Sequence, residues 1–327
     1  MKGLILCAGN GNRLKPFSQI KPKGLLPVVN KPIIHYCLEK LAELYMTEVG
    51  IVIKPEHRFL FVEEVGYGEK WNLSITYIEQ QQALGIADAV KQSEFFLDRS
   101  PFILLLGDNL FVESLERLSH FIQVEGYEAA VILAAVKTPS DFGIAEVEGN
   151  QIVHLEEKPA KPKSNLALLG AYAFQPSIFE AIHKIPPSAR GEYEITDAIQ
   201  WMLNHQRKIA FCVTNQNYSD VGTLERWLEA NRWMLDQQLA AGKLESFASD
   251  SLNHYIPPVC IDPGAELTNC IIGPYVTIGP GVKLSNCRLE DSIILEGTRL
   301  ISPPLPITHA ITRPGSSYML DSKGESG

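Results

Sequence analysis

The feature that most restricts the fold is a repeated switch of hydrophobic period. Residues 2–8 (KGLILCA) form a short apolar run ended by a glycine-rich loop, the pattern of a buried parallel strand. Between Pro32 and Leu44 apolar residues recur at helical spacing (Ile33, Tyr36, Cys37, Leu41, Leu44), and VGIVI at 49–53 returns to strand texture. LSITYI at 73–78, a helix over 85–95, FILLLGD at 102–108, a helix after Val112 and AAVILAAV at 129–136 continue the alternation. Strands alternating with helices predict a doubly wound α/β domain with a mostly parallel sheet.

The texture changes towards the C-terminus. A Trp- and Leu-rich helix over 224–239 leads through a polar linker at 242–253 into a stretch with no helical signal. There Ile261, Leu267, Ile272, Ile278, Leu284, Leu289, Leu295 and Ile301 follow one another at intervals of 6, 5, 6, 6, 5, 6 and 6. One apolar residue per near-hexapeptide, with Gly or Pro close behind in several units, is the signature of a β-helix whose flat faces each turn one side chain inward. The expected organisation is a first domain over 1–241, a linker over 242–253, and a short β-helix with an irregular tail over 254–327. Two and a half coils, roughly, sit near the minimum for a repeat array. The open edge would need cover, so a homo-oligomer is expected. Acyl transfer by such coils needs a histidine between them, and none occurs between His254 and His309.

Charge narrows the function. The 29 basic and 38 acidic residues sum to −9, which argues against general nucleic-acid binding. Yet residues 1–38 contain no acid and six bases (Lys2, Arg13, Lys15, Lys21, Lys23 and Lys31), so that segment is expected to hold an anion. Six scattered cysteines without CxxC spacing read as reduced thiols. The longest apolar stretch, around 129–136, is far below the ~20 residues that span a bilayer. A cytoplasmic protein without a membrane partner is expected.

Several segments carry candidate chemistry. Glycines after a first strand, here Gly9-Asn10-Gly11-Asn12-Arg13, let the backbone approach a phosphate closely. The third Gly of a dinucleotide fingerprint and the Walker pattern are both missing. Arg13 and Lys23 would supply a fork and a point charge for phosphate oxygens. Asp108 ends an apolar strand (LLLGDN), where open α/β sheets place ligands, and Asp220 precedes the 224–239 helix. Helix capping is the alternative for either carboxylate. Mg²⁺ commonly takes one or two protein carboxylates and completes its shell with phosphate oxygens and water.

The run GNGNRLKPFSQIKPKGLLPVVNKPII, with GDN, FGIAE, EEKP, RGEYEITD and SDVG after it in order, resembles the sugar-1-phosphate nucleotidylyltransferases. Asn12 stands where that family usually has Thr or Ser, and D-V-G replaces the more usual D-T-G. The resemblance spans essentially residues 1–235 and is greatest to the long form of the glucose-1-phosphate thymidylyltransferases. It implies a Rossmann-like doubly wound mixed sheet, the nucleotidyltransferase fold, with the short left-handed β-helix behind it.

The same resemblance assigns roles. Ala8, Gly9, Gly11, Asn12, Arg13, Lys23 and Asp108 would bind the nucleoside triphosphate, Arg13, Lys23 and Asp108 being catalytic. Gln80 and Gly85 would read the base, with three successive glutamines leaving the register open by a residue or two. Gly143, Glu157, Lys158, Tyr172 and Arg190 would form the sugar-phosphate side, and Asp108 and Asp220 would hold Mg²⁺. The reaction implied is nucleotidyl transfer from dTTP to glucose 1-phosphate, with UTP, ATP or GTP as alternative donors. A nucleotidyltransferase-like subunit that only binds or assembles is the alternative of another class.

Overall fold

The structure, a computed structural model, describes residues 1–249 and 251–320. Contacts divide the chain into two compact units, one of residues 1–12, 16–25 and 33–218, the other of residues 13–15, 26–32 and 219 onward.

The first unit is built on a nine-stranded sheet. Its strands are β1 (Lys2–Leu6), β2 (Glu48–Ile53), β3 (Ser74–Glu79), β4 (Phe102–Leu106), β5 (Ala129–Ala135), β6 (Gly143–Glu148), β7 (Gln151–Glu157), β8 (Leu166–Phe174) and β9 (Ile209–Val213). They run β7–β6–β8–β4–β1–β2–β3, with β5 paired to β8 and β9. The four strands β4, β1, β2 and β3 are parallel, as the alternating pattern requires. The rest is mixed: β8 is antiparallel to β4, β5 and β6, and a two-residue turn at Gly149-Asn150 reverses β6 into β7.

Side chains alternate across the parallel strands and so feed two cores. Leu4, Phe102 and Leu104 pack with Val90, Ile182, Ile199 and Met202. These come from α3 (Ile86–Gln92), α6 (Ile178–Ile182) and α7 (Ile195–Asn204). Ile5, Ile103 and Leu105 face the other way, against Leu38, Leu41, Phe61 and Leu118. Those belong to α1 (Ile33–Glu43), α2 (Arg58–Val65) and α5 (Glu116–Gln123). The helix expected over 85–95 is interrupted: α3 stops at Gln92 and α4 (Glu94–Leu97) follows. Ser93 is the cause, its hydroxyl donating back to the Ala89 carbonyl at 2.9 Å and competing with the helical ladder.

In the second unit α8 (Leu224–Ala240) begins at Thr223, whose Oγ1 accepts from the Arg226 N–H. Trp227 Nε1 donates to Pro27 O at 2.7 Å, and Asn231 Oδ1 accepts from Val29 N–H at 2.9 Å and Thr277 Oγ1 at 3.0 Å. After Asn253 the chain forms short parallel ladders that repeat every 16 to 18 residues. Three inward columns result: Ile261–Ile278–Ile294, Leu267–Leu284–Leu300 and Tyr255–Ile272–Leu289–Ile307. Leu295 and Ile301 are corrected by this register, because the third turn is one residue shorter and hands their places to Ile294 and Leu300. Ile301 is 77% exposed as a result. All six cysteines are free thiols, and among the described residues no helix is long and apolar enough to cross a membrane.

Leu104 has no exposed surface at the middle of β4. Leu104→Ala should cost about 3–4 kcal/mol, transfer plus cavity, measured as a fall in the urea midpoint at unchanged slope.

Candidate active site

The parallel pairing of β1 with β4 brings two strand ends to one level. Leu6 lies opposite Leu106, and the Gly107 N–H continues the ladder to Leu6 O at 2.9 Å. The loop leaving β1 and the Gly107-Asp108-Asn109 turn leaving β4 therefore adjoin. They form one wall of a cavity of about 440 Å³ within the first unit. Ala8, Gly9, Gly11, Asn12, Lys23, Gln80, Gly85, Asp108, Glu157, Lys158 and Arg190, all expected from the sequence, line it.

At the loop end, the Lys23 ammonium is ion-paired with Asp108 Oδ2. Asn109, 2% exposed, holds the other oxygen: with its amide nitrogen turned to Asp108 it donates to Oδ1 at 2.8 Å, and its oxygen accepts from Gly170 N–H at 3.1 Å. A Cβ on Gly170 would lie 1.9 Å from that amide, so the approach requires glycine. Across the loop, Lys54 Nζ donates to Asn10 Oδ1 at 2.5 Å.

Gly85 tethers a second wall. It precedes α3 at φ 107°, and a Cβ there would lie 2.4 Å from Tyr193 O. Backbone bonds from Tyr193 N to Leu84 O (2.7 Å) and from Ala87 N to Tyr193 O (3.0 Å) stitch this loop to the 188–194 segment.

At the far end, Glu157 closes β7 and Lys158 follows in the left-handed region at φ 46°, its N–H bonded to Phe142 O at 2.9 Å. A lysine held there carries backbone strain of the kind found at ligand clamps. Thr196 Oγ1 donates to Glu157 Oε2 at 2.6 Å, with Arg190 Nη2 at 3.4 Å and Lys158 Nζ at 3.9 Å from Oε1. Burial pushes the Glu157 carboxyl up from its ordinary value and the Glu194 charge adds to this, while the Thr196 bond and the two cations pull it down. Arg190 also pairs with Glu194 at 2.7 Å and Glu192 at 3.4 Å. Gly143 lies behind Glu157: a Cβ there would come within 2.9 Å of Oε2 and 2.5 Å of Thr196 Oγ1.

Besides Gly143, three expected residues do not line the cavity. Tyr172 does not line the cavity; it is buried in β8 with its ring stacked on Phe174. Burial, and then the Glu157 charge, raises its phenol above the ordinary range. Arg13 and Asp220 belong to the second unit. There Arg226 Nη1 reaches Asp220 Oδ1 at 3.0 Å and Oδ2 at 2.8 Å. A Cβ on Gly222 would lie 3.1 Å from Asp220 Oδ1 and 3.3 Å from Arg13 Nη2, so both side chains meet at this turn. Asp220 is thus arginine-paired in its own unit. Asn109, Glu194 and Thr196 were not assigned from sequence, although Asn109 stands in GDN and the other two in RGEYEITD.

Among the described residues no group of three or more His, Cys, Asp or Glu side chains is placed to enclose a metal. The donors present are single hard carboxylates, which suits an ion completed by phosphate oxygens and water.

Residues 2–237 match the family described as Nucleotidyl transferase. The glucose-1-phosphate thymidylyltransferase of Streptomyces griseus is 35% identical over 315 residues, 92% of this chain and 88% of that protein. The low-salt glycan biosynthesis nucleotidyltransferase Agl11 of Haloferax volcanii is 39% identical over 240 residues, 73% and 67% of the two chains. A crystal structure of a putative glucose-1-phosphate thymidylyltransferase from Bacillus anthracis, in complex with a sucrose, aligns with TM-score 0.67 at 33% identity, covering 76% of this chain and 98% of that one. The chain belongs to the nucleotidyl transferase family and is a nucleotidyltransferase enzyme.

The raised Glu157 carboxyl gives a signed prediction. Its protonated form is favoured by the fold, so its stabilising share is complete below the ordinary value of 4.5 and is lost as pH rises through the raised one. Glu157→Gln should therefore gain stability relative to wild type on going from about pH 4 to about pH 7, read by urea unfolding at each pH. A constant difference would contradict the shift.

Proposed function

We propose that the protein transfers a nucleotidyl group from a nucleoside triphosphate, dTTP in the favoured case, to a sugar 1-phosphate, glucose 1-phosphate in the favoured case. One observation carries the reading: a single cavity has a glycine loop with the Lys23–Asp108 pair at one end and the Glu157, Lys158 and Arg190 cluster at the other. Two anionic substrates whose phosphates must approach one another need cations beside each phosphate to offset their repulsion.

In the proposed step an oxygen of the sugar phosphate attacks the α-phosphorus of the triphosphate. A new P–O bond forms there as the bond to the β-phosphate's bridging oxygen breaks, and pyrophosphate leaves with that electron pair. The nucleophile is already an anion, so no proton need be removed, and catalysis is positioning with charge stabilisation. The loop N–H groups and Lys23 hold the triphosphate. Arg13 keeps its assigned role toward the leaving pyrophosphate on resemblance. Lys158 and Arg190 hold the attacking phosphate, and Glu157 accepts sugar hydroxyls. Asp108, and on resemblance alone Asp220, would hold Mg²⁺, whose positive charge lowers the cost of charge building on phosphate oxygens. We assign the chemistry to residues 1–241 and read the C-terminal ladders as a short left-handed β-helix. The exposed edge strand of one of those ladders, residues 299–301, favours a homo-oligomer.

The test is pyrophosphate release in a matrix of nucleoside triphosphates and hexose 1-phosphates with Mg²⁺. Turnover should be greatest with dTTP and glucose 1-phosphate, and Lys23→Ala and Asp108→Asn should each lower kcat/KM by about 10²–10³. Full activity in Asp108→Asn would remove the metal assignment. Triphosphate binding without turnover for any sugar phosphate would favour the non-catalytic alternative.

A further inference from the structure

We propose that Asp88 is a positioning residue that fixes the Gln80 amide so that the cavity selects a base offering a ring N–H. This rests on the reading of the cavity as a nucleoside triphosphate site and deepens it towards base selection.

Gln80 is 4% exposed and lies just past β2 and β3, its backbone N–H held by Ile53 O at 2.9 Å. Its side chain lines the cavity beside Gly85 and Ile86. An amide side chain can present either an acceptor or a donor pair to a ligand, and the two orientations have nearly the same shape. A neighbour that only accepts removes that ambiguity. Asp88, on the first turn of α3 and 9% exposed, is such a neighbour: its Oδ2 lies 2.6 Å from Gln80 Nε2. Gly85 O, also only an acceptor, lies 3.5 Å from the same nitrogen. The reversed amide would set Oε1 against a carboxylate and a carbonyl, leaving two buried acceptors in repulsion.

Asp88 is itself held, its Oδ1 accepting from Gln92 Nε2 at 3.4 Å. It does not line the cavity, so it acts through Gln80. Gln80 Oε1 forms no hydrogen bond among the described residues and is left for a ligand.

A fixed acceptor suits thymine and uracil, whose ring N3 carries a hydrogen, and guanine, whose N1 does. Cytosine N3 and adenine N1 are lone pairs and would meet Oε1 acceptor to acceptor. A pocket built to pair one hydrogen-bonding group discriminates more strongly than one that merely fits a methyl group.

The experiment is calorimetric binding of dTTP, dGTP, dCTP and dATP to the full chain, as wild type, Asp88→Asn, Gln80→Ala and the double variant. Wild type should bind dTTP or dGTP most tightly, the two arms separating a pyrimidine imide from guanine. The amide introduced by D88N can accept or donate, so this variant should reduce the preference over dCTP by about tenfold, the worth of one buried hydrogen bond. Gln80→Ala should do the same, and adding D88N to it should change nothing further. The proposal is overturned if dCTP or dATP binds most tightly to wild type, if D88N keeps the wild-type ratio, or if the two effects add. Should D88N fail to fold, an unchanged ratio in Gln80→Ala overturns it equally. Selective binding without pyrophosphate release would remove the transferase reading and leave this one standing, whereas turnover with no base preference would do the reverse.

Discussion

Everything at the cavity depends on the hydrogen-bonded ladder between β1 and β4. Its register, Lys2 opposite Phe102 through Leu6 opposite Leu106, ends both strands at the same height. A one-residue slip of β4 would turn Leu105 into the opposite core and carry Asp108 away from the glycine loop. The register is fixed from both sides, because Leu4 and Leu104 belong to one apolar cluster and Ile5 and Leu105 to the other. Hydrophobic packing on two faces thereby sets the position of a charged pair, Lys23 with Asp108, that contributes nothing to either core.

This explains which parts of the molecule were legible in the sequence. Buried parallel strands have a loud signature, and the apolar runs that end at Ala8, Leu106 and Val136 are followed by Gly9, Gly107 and Lys137. Strand ends locate ligands in open α/β sheets, so the loop glycines and Asp108 could be placed from the chain alone. The antiparallel connections of β8 carry no comparable signal. Its nine residues, LALLGAYAF, are buried almost throughout and pair with three different neighbours, and nothing in the apolar spacing announces the irregularity between Leu168 and Tyr172. Tyr172, assigned by resemblance, is buried beside Phe174 and does not line the cavity; in a strand buried on both faces, period alone does not tell core from cavity.

The repeat at the C-terminus teaches a related lesson. Counting one apolar residue per near-hexapeptide located the inward columns for the first two turns, through Ile261, Leu267, Ile272, Ile278, Leu284 and Leu289. It failed where two apolar residues stand side by side, at Ile294-Leu295 and Leu300-Ile301. Strand register, not hydrophobicity, then decides which of each pair turns inward.

The charges of the cavity hold one another in place. Lys23 is held by Asp108, Arg190 by Glu194, and Glu157 collects weaker contacts from Arg190 and Lys158. An isolated buried cation would be costly, and an exposed one would wander through its rotamers. Pairing with carboxylates removes both problems while leaving an exchange open, since a phosphate carries more charge and more acceptor oxygens than the carboxylate it would displace. Lys158 shows the same economy in the backbone, where a left-handed conformation is held by its N–H bond to Phe142 rather than by a glycine. The cost of ordering these side chains is met largely in folding, and what an incoming anion has to do is exchange with a carboxylate. That is the condition under which fixed charges and dipoles stabilise a transition state more than water could.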